Sequence, residues 1–253
     1  MTSATLSVAT TSATLSTERT FEHIIERTGF TDSRELLLGS PFDYPSAAVL
    51  CLPNDMPEPR SWAYQEALEA AIKDAAIAAE GRTMALFTSY SALRSTASSI
   101  KDDLKTRGIE VLQQGTDGPP AQVVRRFMQS PRAVLLGTAS FWEGVDLPGD
   151  ALSVLIVARL PFTVPSEPVF QARSELYDNA FMQYAVPQAI LRLRQGFGRL
   201  IRTKTDRGAV IILDRRVTAS RYGSAFLRSL PPARRVDCAL YQLPDVIRSH
   251  LVR

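Results

Sequence analysis

The 253-residue chain has two cysteines, two histidines, four lysines and no long apolar run. Each scarcity excludes something. Cys51 and Cys238 stand far apart in sequence, with neither a metal-ligand spacing nor a disulfide framework, so a reducing, cytoplasmic setting is expected. His23 and His250 are isolated, which removes a histidine-based metal site. Apolar runs such as Val154–Ala158 and Ala209–Leu213 fall far below the roughly 18 residues that a membrane-crossing helix needs. The Ser- and Thr-rich start has no basic segment followed by an apolar one, so no secretory signal is expected.

What is present is an ordinary globular balance, 45% hydrophobic and 22% charged, enough for one large α/β domain or two small ones. The net charge of +3 hides an asymmetry. Residues 187–253 carry thirteen arginines and one lysine against four aspartates, a net of +10, and residues 1–186 carry −7. A basic final third points to a phosphate-bearing partner, nucleotide or nucleic acid, although a solvated arginine-rich surface accounts for the charge alone equally well.

The first 17 residues contain Thr-Ser-Ala-Thr-Leu-Ser twice, at Thr2–Ser7 and Thr11–Ser16. The unit is too short for a solenoid repeat. A helix is expected over Glu18–Thr28, between Thr17 as N-cap and Gly29 as stop. Beyond it, apolar runs of strand length fall at Ala47–Leu52, Thr83–Thr88, Glu110–Leu112, Ala133–Leu136, Leu152–Val157 and Ala209–Leu213. Helical patterns alternate with them. Ser61–Ala79 has Trp62, Leu68, Ala71, Ile72 and Ala75 at helical spacing; Ser91–Arg107, Ala121–Met128 and Ala219–Leu230 follow, with a helical stretch at about Glu167–Tyr184. Alternating strands and helices, with strands that are continuously apolar, predict a mainly parallel, doubly wound sheet covered on both faces. Ligands in such sheets bind beyond the carboxyl ends of the strands, which directs attention to the loops after Thr88, Leu136, Val157 and Leu213. Two segments have unusual sequences: LGTASFWEGVDLPG at Leu136–Gly149, and QGFGRLIRTKTDRG at Gln195–Gly208, which leads into the last strong strand.

Arg199 and Arg202 are three residues apart, so on a helix they would share a face. Two adjacent guanidiniums repel unless an anion joins them, and phosphate oxygens suit their paired donors. Gly196 and Gly198 leave room for close backbone approach, and Gln195 can both donate and accept. A plain surface helix bearing two arginines is the competing interpretation.

Read in order, these segments resemble motifs of superfamily 2 helicases, and FWEGVDLPG followed by QGFGRLIRTKTDRG is most similar to the DinG/XPD branch. Phe87-Thr88-Ser89-Tyr90 resembles motif IV, and Thr11-Ser12-Ala13-Thr14-Leu15 resembles motif III. Gly39-Ser40-Pro41-Phe42, Asp55-Met56-Pro57 and Gln114-Gly115 are also placed as in that branch. The resemblance implies a RecA-like C-terminal helicase domain with about seven strands. It implies that Arg199 and Arg202 are arginine fingers for the γ-phosphate of ATP, that Gln195 lies near the nucleotide, and that Gly144 and Asp146 lie near the ribose and the domain interface. It implies that Ser89, Tyr90 and Thr138 face a nucleic-acid strand, and that Ser12, Ala13 and Thr14 couple the two activities. Tyr90 and Trp142 are alternatively core aromatics, and Asp146 alternatively a turn residue.

The sequence has no G-x-x-x-x-G-K-[ST] and no acidic box after a strand, so the phosphate-cradling loop, the Mg²⁺ ligands and the general base are all missing. Two misplaced cysteines exclude an iron–sulfur cluster within this chain. The expectation is a motif III-like lead-in over 1–17 and one C-terminal motor domain over 18–253, with a helical insert at about 162–186. The sequence then reads as a truncated reading frame whose first RecA-like domain is missing. In the intact protein it would act with ATP and Mg²⁺ on single-stranded or forked DNA, with no membrane partner and a place in DNA repair. The alternative is a non-catalytic nucleic-acid-binding or regulatory module; a Rossmann-type enzyme is disfavoured because no G-x-G-x-x-G follows a strand.

Overall fold

The computed structural model describes residues 40–138 and 151–252, with positions 21, 25, 29, 34–36 and 141. In chain order the elements are α1 (Tyr44–Ala47), β1 (Ala48–Pro53), α2 (Tyr64–Ala78), β2 (Thr83–Leu86), α3 (Tyr90–Thr106), β3 (Glu110–Gln113), α4 (Pro120–Gln129), β4 (Ala133–Gly137), β5 (Val154–Val157), α5 (Pro168–Ser174), α6 (Val186–Phe197), β6 (Gly208–Ile212), α7 (Arg216–Ala219), α8 (Gly223–Ser229), β7 (Arg234–Cys238) and α9 (Leu243–Leu251). A π-helical turn, Phe181–Ala185, leads into α6.

The strands form one sheet in the order β3-β4-β2-β5-β6-β1-β7, and every pairing is parallel. All carboxyl ends therefore lie along one edge. The five inner strands are buried at every position because helices cover both faces. Leu50, Leu86, Leu135, Val157 and Ile212 pack with α4, α6 and α8 through Phe127, Leu193, Phe197 and Phe226. Their sequence neighbours Cys51, Ala85, Leu136, Ile156 and Ile211 pack with α2, α3 and α9 through Leu68, Ile72, Leu93, Ile100 and Ile247. The period-2 alternation of a strand thus feeds two separate cores.

All six expected strands form, within one or two residues of their expected ends. The seventh, β7, lies at the sheet margin and alternates charged with apolar residues, Arg234-Arg235-Val236-Asp237-Cys238, so it shows no apolar run. Local chemistry sets the helix ends. Ser89, in extended conformation, caps α3 by accepting the Ala92 N–H, and Gly108 at φ +69° ends it. After α2 the chain reverses through Gly81 at φ +90°; a Cβ there would stand 2.6 Å from the Ala133 nitrogen. The helix expected over Ala219–Leu230 is shorter, α8 alone from Gly223 to Ser229, and a separate turn of helix, α7, ends at Ala219 before it.

Trp62 does not follow the expected helical face. The helix begins two residues later, at Tyr64, and Trp62 is 89% exposed in the preceding turn. The helix expected over Glu18–Thr28 is described only at Phe21, Ile25 and Gly29, linked by the i→i−4 bonds Ile25 N–H to Phe21 C=O and Gly29 N–H to Ile25 C=O. Both Thr-Ser-Ala-Thr-Leu-Ser copies lie outside the described residues.

Candidate functional site at two edges of the sheet

The carboxyl ends of β3, β4 and β2 are neighbours, and the residues just beyond them form one polar chain. Gln114 follows β3, Thr138 follows β4, and Ser89-Tyr90 follow β2. Gln114 is buried, and its Oε1 accepts from the Thr138 N–H at 2.6 Å and from the Thr138 hydroxyl at 3.0 Å. That orientation turns its Nε2 toward Tyr90, whose phenol oxygen accepts at 2.9 Å. The Tyr90 ring is 49% exposed, and because its oxygen already accepts, the hydroxyl proton is free to be donated outward. Ser89 and Tyr90 also begin the 17-residue α3, where unpaired N–H groups and the helix dipole favour anions. Ser89, Tyr90 and Thr138, expected together, are together. Thr138 is itself 5% exposed and is joined to the half-exposed Tyr90 through Gln114. Gln114 escaped the expected site residues; its signal was a polar side chain directly after a strand.

A second cluster closes the carboxyl ends of β5 and β6. Asp214 is fully buried; Oδ2 accepts from the Leu160 N–H at 2.8 Å and Arg216 Nη2 at 2.6 Å, and Oδ1 from the Arg216 N–H at 3.1 Å and Nε at 2.9 Å. The bond to Asp214 holds the Arg216 guanidinium above its ordinary value against the opposing effect of burial. The Tyr64 hydroxyl reaches the carbonyls of Ala158 and Leu213, which follow the two strands. Burial, reinforced by Asp214, pushes that phenol far above its usual range. The Arg159 guanidinium lies 4.8 Å from the Tyr64 ring centroid and donates to the Pro59 carbonyl at 2.7 Å. Arg192 donates to Thr163 Oγ1 at 2.5 Å. Sequence reasoning singled out none of these residues, although Asp214-Arg215-Arg216 directly follows an apolar strand.

Gln195, Arg199 and Arg202 occupy the opposite edge. Helix α6 runs back from the carboxyl edge, and the Tyr44–Phe197 ring contact places its end beside the start of β1. The segment 195–208 is therefore an amino-edge loop, because in a parallel sheet whatever immediately precedes a strand lies there. The two arginines also do not share a helical face. Helix α6 ends at Phe197, and the bonds Arg199 N–H to Gly196 C=O and Leu200 N–H to Phe197 C=O tighten the chain into a turn. Leu200 fills the space beside Gly208, where a Cβ would stand 2.5 Å from its side chain; this closeness fixes the loop against β6.

Within the loop Arg199 is 7% exposed and Arg202 half-buried. Asp206 braces the backbone, its Oδ2 accepting from the Arg202 and Thr203 N–H groups, both at 2.8 Å, and its Oδ1 from Thr203 Oγ1 at 2.6 Å. Burial pushes the Arg202 guanidinium below its ordinary value, against the pull of Asp206. Gln195 Oε1 is sealed from water and meets no donor among the described residues. An open groove of about 410 Å³ lies alongside, lined by Asp43, Ser46, Ala47 and Lys204–Arg207. Gly144, Asp146, Ser12, Ala13 and Thr14 lie outside the described residues. Among the described residues no three carboxylate, histidine or cysteine side chains gather as a metal site, and no helix is long and apolar enough to cross a membrane.

Residues 72–233 match the helicase C-terminal domain family. The 3'-5' exonuclease DinG of Bacillus subtilis is 38% identical over 235 residues, which span 89% of this chain and 25% of that protein. The ATP-dependent DNA helicase YoaA of Haemophilus influenzae is 39% identical over 229 residues, 89% of this chain and 35% of that protein. The chain thus spans a quarter to about a third of the length of these relatives. A solved XPD helicase superposes with a TM-score of 0.59 at 18% identity, over 76% of this chain and 35% of that one, a likeness of fold.

Proposed function

The chain belongs to the helicase C-terminal domain family, in its DinG/XPD-like branch, and from that premise we propose that it is the second RecA-like motor domain of an ATP-dependent DNA helicase. In this role the amino-edge loop serves ATP and the carboxyl edge serves the DNA strand. The observation that carries the reading is the loop after α6. It holds one arginine buried and a second half-buried on a backbone braced by Asp206. Two guanidiniums carried on one short loop concentrate positive charge, and their paired N–H donors match phosphate oxygens.

The residues fit a nucleotide triphosphate. Arg199 and Arg202 would hold the γ-phosphate, and Gln195 would meet the nucleotide's polar edge. By family resemblance, Gly144 and Asp146 would lie near the ribose. ATP supplies the phosphoryl group whose transfer to water drives the motor. What Arg199 and Arg202 add is positive charge, arranged in advance, where negative charge develops as the phosphate bond breaks. By the same resemblance, the Mg²⁺ ligands and the phosphate-cradling loop would come from a first motor domain. At the other edge Ser89, Tyr90 and Thr138, linked through Gln114, form part of the single-strand track. Closure of the arginines onto the first domain and their release after hydrolysis would move this track along single-stranded or forked DNA, with Ser12, Ala13 and Thr14 in the coupling segment.

The experiment compares the free chain with a fusion to the first motor domain of the Haemophilus influenzae relative. The free chain is expected to bind single-stranded DNA without hydrolysing ATP. The fusion is expected to hydrolyse ATP in a DNA-dependent way, and Arg199→Lys or Arg202→Lys to cut turnover by roughly 10³–10⁵ while leaving ATP binding nearly intact. Hydrolysis by the free chain, or full turnover in both lysine variants, refutes the assignment. DNA binding with no activity in any fusion favours a non-catalytic binding module instead.

A further inference from the structure

We infer that Trp62, with Tyr90, forms a base-stacking platform for single-stranded DNA beside the carboxyl-edge polar chain. The inference rests on the strand-track reading above and adds a binding residue to it.

Three observations converge. Trp62 is 89% exposed, although an indole offers 150–250 Å² of surface that folding would gain by burying. A single exposed aromatic residue is common on protein surfaces; the others around this one make the difference. Its backbone is held rigidly. The Ser61 N–H donates to the Glu58 carbonyl at 2.8 Å, the Tyr64 N–H to the Ser61 carbonyl at 3.1 Å, and Ser61 Oγ accepts from the Ala63 N–H at 3.3 Å. Arg159 ties the same turn down through the Pro59 carbonyl. An aromatic ring presented on a fixed turn loses little conformational freedom when a ligand stacks on it.

A second exposed aromatic residue, Tyr90, begins the next helix. Trp62 precedes α2, and Tyr90 begins α3; the starts of these helices are joined where Gln65 Nε2 donates to the Ala92 carbonyl at 3.4 Å and to Thr96 Oγ1 at 3.0 Å. Both aromatics therefore sit at the carboxyl edge, at adjacent helix starts, and the Gln114 bond fixes the second ring with half its surface open. Arg60 and Arg94 are exposed beside the two aromatics, at Trp62's turn and on α3, where they can neutralise phosphates. Glu58 and Glu66 are exposed there too, so charge alone would hold a strand weakly and stacking carries more of the affinity.

The test uses the full 253-residue chain and a labelled oligo(dT) of about 20 nucleotides, with an abasic strand of equal length as the charge-only probe. Trp62→Ala is expected to weaken oligo(dT) binding roughly 5- to 100-fold, Trp62→Phe to restore most of it, and both variants to bind the abasic strand like the parent. Indole emission of the parent is expected to change on adding oligo(dT), and that change to shrink in Trp62→Ala. Because Trp62 is exposed, circular dichroism and thermal midpoint should stay unchanged. If the parent binds oligo(dT), Gln114→Ala weakens it and Trp62→Ala does not, this inference falls and the strand track stands. If the parent binds no single strand at all, both fall. Indole emission that changes with protein concentration in the absence of DNA would give the platform to a second copy of the chain and overturn the proposal.

Discussion

Asp214→Asn is a near-isosteric change at the buried joint between β5 and β6, and the structure sets its cost. The carboxylate accepts four hydrogen bonds, from the Leu160 N–H, the Arg216 N–H and the Arg216 Nε and Nη2. An asparagine has one oxygen to accept with and a donating NH₂ that must face donors. If the oxygen stays with the Leu160 N–H, the Arg216 N–H and Nε lose their acceptor; if it turns the other way, the Leu160 N–H is stranded where the residue is 1% exposed. A buried unsatisfied donor costs about 1–3 kcal/mol, and bonds to charged groups contribute about 1.5–3 kcal/mol. The Arg216 side chain is 38% exposed, so water replaces part of its loss and the upper values do not apply. The expected cost is about 2–4 kcal/mol, or a fall of roughly 4–16 °C in thermal midpoint for a domain of this size. Urea unfolding followed by circular dichroism measures it. Arg216→Gln alone should also destabilise, by leaving the carboxylate buried without its counter-charge, and the double variant should cost about 1–3 kcal/mol less than the two singles added. A loss below about 1 kcal/mol for Asp214→Asn, or strict additivity in the cycle, would show that the carboxylate does not hold this joint.

Two other buried groups give pH-dependent predictions. Burial, with a smaller contribution from nearby Cys238 and a partial offset from Arg234, pushes the Cys51 thiol up to about 12. Iodoacetamide at pH 8 should therefore label Cys51 only as fast as the protein opens; labelling at the rate of a small free thiol would contradict its place in the core. His250 is 6% exposed, with its Nε2 3.1 Å from the Ala47 carbonyl, and burial lowers its pKa while that bond and the Gly208 backbone oppose the shift. A lowered folded pKa means that the unfolded chain takes the proton first, so stability is full above about pH 6.5 and falls as the pH drops below it. Urea midpoints at pH 7.5 and 5.5 should differ less in His250→Gln than in the parent; an equal difference would remove His250 from the acid side of the stability curve.

The order of strands and helices was legible because each core strand is a continuous apolar run and each long helix carries an apolar stripe. These are local records of burial, and burial on both faces already implied a parallel sheet between helical layers. The segments Phe87–Tyr90 and Gln195–Gly208 were legible as motifs for the same reason, since their residues are close in sequence. What needed the tertiary structure depends on which strands become neighbours. β7 has no apolar run because a marginal strand faces water on one side, and only its pairing with β1 identifies it. Gln114, Thr138 and Tyr90 come from three separate loops and meet only because β3, β4 and β2 lie side by side. The direction of α6 puts Arg199 and Arg202 at the amino edge, and a turn one residue past the helix takes them off a shared face. Trp62 matched a helical stripe in sequence, yet the helix begins two residues after it, so the indole points to solvent. Periodicity records which residues an element can bury. Where the element starts, and what stands opposite it, is fixed by contacts between residues tens to hundreds of positions apart.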